Sequence, residues 1–296
     1  MSDYKIWLDG HAIEGAGHIT VINPATEKAF ATIARSDQAL VDKAVAAAIS
    51  AQKLWSAVPI AEKQALLLAL ADGINARAEE LSRVLTMEQG KPLAESSAEV
   101  AYTEAFIRHF ATLDLPVEVL QDDAEKYVEL HREPLGVVAC MIPWNFALLI
   151  ISFKVPLALL AGNASILKPS PTTPLTAALF AEICAAVLPA GLVNTVNDEN
   201  DLGAYLTEHP DIAKISFTGS TQTGKRVMAS ASDTLKRLTL ELGGNDPAIV
   251  LGDVDVKDAA QKLFAGAFMN CGQLCLAVKR VYAHESIYED LCAELA

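Results

Sequence analysis

The alternation between residues 136 and 251 constrains this chain more than any other feature. Strand-like segments at 137–142, 164–167, 192–196, 213–217, 238–240 and 248–251 are separated by segments of helical spacing. The continuous apolar run at 137–142 suits a strand covered on both faces, and such strands belong to parallel sheets flanked by crossover helices. The intervening segments predict helices over 147–160, from Pro174 to the Pro189-Ala190-Gly191 stop, over 202–208, and onward from Thr221. Together they predict an α/β fold built on a doubly wound parallel sheet. No solenoid-type repeat is present.

The flanks read differently. Residues 4–8 and 18–22 are strand-like, with turns at Asp9-Gly10 and Asn23-Pro24. Ser36-Asp37 offers N-caps for a helix reaching about Trp55. A second helix starts near Ile60 with Leu66, Leu67, Leu70 and Ile74 on one stripe, and a third covers 96–113 with Val100, Ala101, Phe106 and Ile107. Residues 115–134 change character and predict an extended hairpin or arm. A strand is expected at 278–283 and an amphipathic helix at 284–296, a helix without a glycine cap; the sequence reads as stopping inside a domain.

Charge narrows the partners. The 296 residues carry a net charge of −14, which disfavours nucleic acid and anionic membrane surfaces. Five cysteines, an odd number with no basic-then-apolar leader before them, point to free thiols in a reducing compartment. The longest apolar stretch, 147–161, is interrupted by Lys154 and Pro156 and is too short to span a bilayer. A cytoplasmic protein is expected.

Four segments could carry chemistry. Residues 217–226 form a glycine-rich turn between a strand and a helix, a place where backbone N–H groups meet phosphate. Gly219, Gly224 and Lys225 fit a nucleotide-triphosphate loop, but Arg226 stands where a magnesium-binding hydroxyl is required. Asn270-Cys271-Gly272-Gln273-Leu274-Cys275 has neither zinc-pair nor redox-pair context, which leaves a nucleophilic cysteine or an inert thiol. Glu241-Leu242-Gly243-Gly244 puts a carboxylate at a strand end, where ligands bind in open sheets, and Pro143-Trp144-Asn145-Phe146 puts an amide there, a possible oxyanion donor.

Taken in order, with Asn23-Pro24-Ala25-Thr26, Gly90-Lys91-Pro92 and Arg132-Glu133-Pro134-Leu135-Gly136, these segments resemble the NAD(P)-dependent aldehyde dehydrogenase superfamily. The 34-residue interval from Glu241 to Cys275 agrees with it. The resemblance implies a Rossmann-like cofactor domain over 1–114 and 135–245, an oligomerisation arm over 115–134, and the start of an α/β catalytic domain over 246–296. It makes Cys275 the nucleophile, Asn145 and the Cys275 N–H the oxyanion donors, Glu241 a partly buried general base, and Lys154 a proton-transfer lysine. NAD or NADP would be bound by Ile142, Trp144, Lys168, Ser170, Gly219, Ser220, Gly224 and Leu242. Phe146, Ile150 and Phe153 would line the aldehyde tunnel. No metal is implied, and the partners are a small aldehyde and further copies of the chain in a homodimer or homotetramer.

Three departures accompany the resemblance. Pro171 replaces a glutamate of many NAD-preferring relatives, so a weakened preference for NAD over NADP is expected; Ala147 replaces a proline; and Cys271 is not a motif position. Hydrolytic oxidation leads the readings because Glu241 is present. A CoA-acylating relative, a non-catalytic nucleotide-binding fragment and a P-loop NTPase are the alternatives.

Overall fold

The computed structural model describes residues 2–296, and its contacts divide the chain into two compact units. The larger runs to Thr218 and resumes over Gln222–Leu240; the smaller comprises Gly219–Thr221 and Glu241–Ala296.

The larger unit opens with five short strands: β1 (Ser2–Tyr4), β2 (Ile6–Leu8), β3 (His11–Ile13), β4 (Gly17–Asn23) and β5 (Lys28–Arg35). β2 and β3 pair through the Asp9-Gly10 turn, where both residues have positive φ, and β1, β5 and β4 form a small sheet. Four helices follow: α1 (Gln38–Trp55), α2 (Ile60–Ala76), α3 (Ala78–Gln89) and α4 (Leu93–Phe110). The Asp37 side chain caps α1 by accepting from Leu40 N at 2.9 Å. α3 is absent from the sequence expectation, and only Arg77 separates it from α2. α4 starts earlier than expected, directly after Pro92, and it turns Glu99 and Thr103 inward while Ala101 is exposed.

Next come the hairpin β6 (Glu118–Asp122) and β7 (Tyr127–Leu130), which is exposed and antiparallel, and then the central sheet. Its elements are β8 (Val137–Met141), α5 (Ala147–Leu160), β9 (Ala164–Lys168), α6 (Leu175–Val187), β10 (Val193–Thr195), α7 (Gly203–Glu208), β11 (Ile212–Thr218), α8 (Thr221–Ser230) and β12 (Arg237–Glu241). The strand order is β10-β9-β8-β11-β12, and β8, β9, β10 and β11 pair in parallel. Successive strands therefore run outward from β8 in one direction and then from β11 in the other. The reversal lies between β8 and β11, so the crevice for a ligand opens at their carboxyl ends. Every residue of β8 and β9 is buried; β8 is apolar throughout, while β9 also buries Ser165 and Lys168. α5 packs Leu148, Ile151, Val155 and Leu159 into the core at 0% exposure.

The smaller unit pairs β13 (Asp246–Val250) in parallel with β14 (Val278–Ala283), joined through α9 (Val256–Phe268). α9 is a second helix absent from the sequence expectation; Asp255 caps it by accepting from Asp258 N at 2.8 Å. The helix expected at 284–296 splits into a 3-10 turn, Glu285–Ile287, and α10 (Tyr288–Leu295). His284 Nδ1 accepts from Ser286 N at 3.2 Å and starts that turn. Val250, Ala260, Ile287 and Leu291 form the core of this unit. Among the described residues no helix is long and apolar enough to cross a membrane.

Candidate active site

In the larger unit the site begins where β8 ends. Ile142 is buried, and its N–H donates to the Lys168 carbonyl at 2.9 Å, which ties the ends of β8 and β9 together. The chain then turns outward. Trp144 is 44% exposed, leaving much of an indole face open beside the crevice, before Asn145 and Phe146 lead into α5. Two residues the sequence reading did not select hold this turn from behind. Glu99 Oε1 accepts from Leu148 N and Leu149 N at 3.0 and 3.1 Å, and Lys91 Nζ donates to the Asn145 carbonyl at 2.8 Å.

Along α5, Ile150 is half-buried and Phe153 meets Phe106 edge-on, with ring centroids 4.7 Å apart; Phe110 lies 6.4 Å from Phe153. An aromatic cluster from α4 and α5 thus surrounds the expected tunnel position, and the four-residue spacing of Phe106 and Phe110 is the sequence signal that could have found it. Lys154 is buried and donates to Ser216 Oγ at 2.9 Å, across to β11.

Lys168, at the end of β9, is also buried, and its Nζ lies 2.5 Å from Asp198 Oδ1. Asp198 is a further residue missed in the sequence; its Oδ2 accepts from Leu202 N at 2.8 Å. Ser170 bonds to Thr172, hydroxyl to hydroxyl, at 2.9 Å. β11 ends at Thr218, whose hydroxyl oxygen is buried without a hydrogen-bond partner among the described residues. Gly224 lies buried in the first turns of α8.

The smaller unit carries the other residues expected from the sequence. Gly219 N donates to the Glu241 carbonyl at 3.0 Å, tying the glycine turn to the end of β12, with Ser220 exposed beside it. Glu241 itself is exposed and Leu242 half-buried. The partial burial expected for Glu241 is therefore not found: its side chain stands exposed at the end of β12. At Gly244 a Cβ would stand 2.6 Å from the Cys275 carbonyl oxygen, so only glycine lets the Glu241 segment approach the cysteine loop.

That loop is tightly formed. Asn270, Cys271 and Gly272 have φ of 53°, 55° and 75°, three left-handed residues in succession. Asn270 is fully buried and its amide donates to the Gln273 carbonyl at 3.1 Å, while Lys279 Nζ reaches the Leu274 and Cys275 carbonyls at 3.0 and 3.2 Å. The loop presents Cys275 exposed.

Burial separates the thiols. Cys140 and Cys184 are enclosed in the core; burial pushes Cys140 up to about 11 and raises Cys184 further, so neither supplies a thiolate. Cys271, Cys275 and Cys292 are exposed. Asp3, Glu14 and His18 gather at the surface, but the Lys5 ammonium already bridges the two acids at 2.7 and 2.6 Å.

Comparison with known proteins agrees with this architecture. The model of the aldehyde dehydrogenase family matches residues 11–296. The chain is 40% identical over 292 residues to a phenylacetaldehyde dehydrogenase of Pseudomonas fluorescens, a match covering 94% of this chain and 58% of that protein. It superposes with a TM-score of 0.96 on the crystal structure of an NADP dependent enzyme of E. coli, at 32% identity, covering 99% of this chain and 63% of the other. The crystal structure of PnpE in complex with nicotinamide adenine dinucleotide gives a TM-score of 0.95 at 37% identity, covering 99% and 61%. The chain spans about three fifths of the length of these relatives. By the family match and by these identities, it belongs to the aldehyde dehydrogenase family.

Proposed function

We propose that this protein oxidises an aldehyde to a carboxylic acid with NAD or NADP as the hydride acceptor. The observation that carries the reading is Cys275. Its thiol is exposed on a loop held by Asn270 and Lys279, against the glycine segment that follows Glu241. The residues at the crevice fit a dinucleotide: an exposed indole at Trp144, a glycine turn entering the N-terminus of α8, and a buried, unpartnered Thr218 hydroxyl beside that turn. Ile142, Trp144, Lys168, Ser170, Gly219, Ser220, Gly224 and Leu242 would hold it. When bound, the nicotinamide accepts a hydride. A relative solved with nicotinamide adenine dinucleotide and another described as NADP dependent support this cofactor class.

The chain's own residues divide the work. The Cys275 thiolate adds to the aldehyde carbonyl, forming a C–S bond and a thiohemiacetal oxyanion. Asn145 and the Cys275 N–H donate to that oxygen, an interaction strongest as charge develops. Loss of hydride from the same carbon leaves a thioester on Cys275. Glu241 takes a proton from water, the hydroxide adds to the thioester carbonyl, and the C–S bond breaks to release acid and restore the thiolate. Phe146, Ile150 and Phe153 supply an apolar approach for the aldehyde, and Lys154 assists proton movement. The exposed hairpin supports a homodimer or homotetramer, and the free thiols support a cytoplasmic location.

Rapid-mixing kinetics test the assignment. Cys275→Ala is expected to abolish cofactor reduction while leaving cofactor binding intact. Glu241→Gln is expected to give one burst of reduced cofactor and then stall, with steady-state turnover lower by about 100-fold or more. Normal turnover in Glu241→Gln would refute the base assignment, and activity in Cys275→Ala would refute the mechanism.

A further inference from the structure

Gly90-Lys91-Pro92 is among the segments that mark the family resemblance, yet no step above uses it. Lys91 is 1% exposed, an unusual position for an ammonium. Its Nζ lies 2.5 Å from Glu99 Oε2, 2.8 Å from the Asn145 carbonyl oxygen and 4.1 Å from the centroid of the Phe146 ring. Glu99 is 2% exposed and spends its other oxygen on Leu148 N and Leu149 N, in the first turn of α5. A carboxylate there also sits at the positive end of the helix dipole. The side-chain contacts of the pair therefore meet on residues 145–149: a carbonyl, a ring face and two helix N–H groups.

A buried ion pair contributes little stability over apolar packing of the same shape, because both charges are stripped of water. Its value lies in direction. An oxyanion donor acts only when it is aimed before charge develops, and a displacement of about 1 Å at a reacting centre costs on the order of 100-fold in rate. We infer that Lys91, seated by Glu99, is a positioning residue that fixes the Asn145 backbone and so aims its side-chain amide at the oxyanion. The inference rests on the role proposed for Asn145 above. Lys91 touches neither aldehyde nor cofactor in this account; it acts through the peptide it holds.

The test is a mutant cycle on the native full-length protein. Its readout is the burst rate of reduced cofactor, with acetaldehyde, benzaldehyde and phenylacetaldehyde as probes and NAD or NADP in excess. Lys91→Met alone strands a buried carboxylate and endangers folding. The working variant is therefore the neutral pair Lys91→Met with Glu99→Gln, whose glutamine oxygen still accepts from the α5 N–H groups; its fold is checked by thermal unfolding. The pair is expected to slow the burst by roughly 10- to 100-fold and to leave cofactor Kd within about 3-fold. Asn145→Ala is expected to slow it by roughly 100-fold or more. Adding Asn145→Ala to the pair is expected to cost no more than about 3-fold beyond Asn145→Ala alone, since there is then no amide left to aim. A merely structural role would make the two losses multiply, and that outcome overturns the inference. So does a neutral pair with the wild-type burst while Asn145→Ala is slow, a result that leaves the Asn145 assignment standing. A normal burst in Asn145→Ala, or no burst from the wild-type protein with any probe, overturns the underlying assignment and this inference together.

Discussion

In the cofactor site proposed above, Lys168 would have its charge already engaged. Asp198, buried and anchored by Leu202 N, holds the ammonium in an ion pair at the carboxyl end of β9. In that proposed site the proline at 171 and the acid at 198 would act in opposite senses: one removes a carboxylate that would repel a 2′-phosphate, the other cancels a cation that would attract it. Asp198→Asn is expected to lower Kd for NADP relative to NAD by about tenfold, equivalent to about 1.4 kcal/mol, in titrations following Trp144 fluorescence. An unchanged ratio would mean that the pair does not face the cofactor. At this scale the sequence discloses residue types set in local motifs, such as Cys275 and its glycine or Asn145 after Trp144. It does not disclose Lys91 with Asn145, or Lys168 with Asp198. Those partners lie tens of residues apart and meet only through tertiary packing, Lys168 with Asp198 across adjacent strands and Lys91 from the α3–α4 loop, which leaves no periodic trace.

Among the elements, α5 appears over the residues expected, since a long apolar stretch between two turns has few other ways to bury itself. α3 and α9 were missed for separate reasons. α3 abuts α2 with no glycine or proline between them, whereas α9 carries a stripe at helical spacing, Val256, Ala259, Ala260 and Leu263, that the sequence expectation overlooked. α3 nonetheless has a task beyond its own packing. Near its end Glu88 accepts from Leu175 N at 2.7 Å, Thr176 N at 3.0 Å and Thr176 Oγ1 at 2.5 Å, closing the N-terminus of α6. Burial pushes the Glu88 carboxyl up from 4.5 to about 7. The folded chain therefore holds this proton more tightly than the unfolded chain does. Its contribution to stability is complete below about 4.5 and is lost as pH rises through about 7. Urea unfolding of wild type and Glu88→Gln between pH 4 and 8 is expected to show their difference drifting by roughly 2–3 kcal/mol across that window, with wild type losing ground at the higher pH. A constant difference would place the Glu88 titration elsewhere. The glutamine keeps one carbonyl acceptor and sets its NH2 group against the other helix N–H, a cost that does not change with pH, so the drift, not the offset, reports the proton.

For the molecule as a whole, a net charge of −14 keeps copies apart unless a specific surface overcomes it. In the self-association proposed above, the β6–β7 hairpin would be such a surface: Val119, Leu120 and Tyr127 are 52–62% exposed on a two-stranded ribbon too small to be stable alone. Leu120→Glu with Tyr127→Glu is expected to weaken self-association by roughly 100-fold or more, given about 1.5–3 kcal/mol per apolar side chain buried. Sedimentation velocity would register this as a fall to monomer, and an unchanged oligomer would remove the hairpin from the interface. The helical front of the chain carries another consequence. Glu88 and Glu99 stand on one continuous piece of backbone, and each plugs the first turn of a different helix, α6 and α5, in the central sheet. Those helices enter from neighbouring strands, so the span between the two acids works as a fixed-length bracket. An insertion between them would unseat one plug or the other. Any graft of the nucleotide-side loops into another scaffold would have to carry this bracket along, although it lies outside every loop being moved.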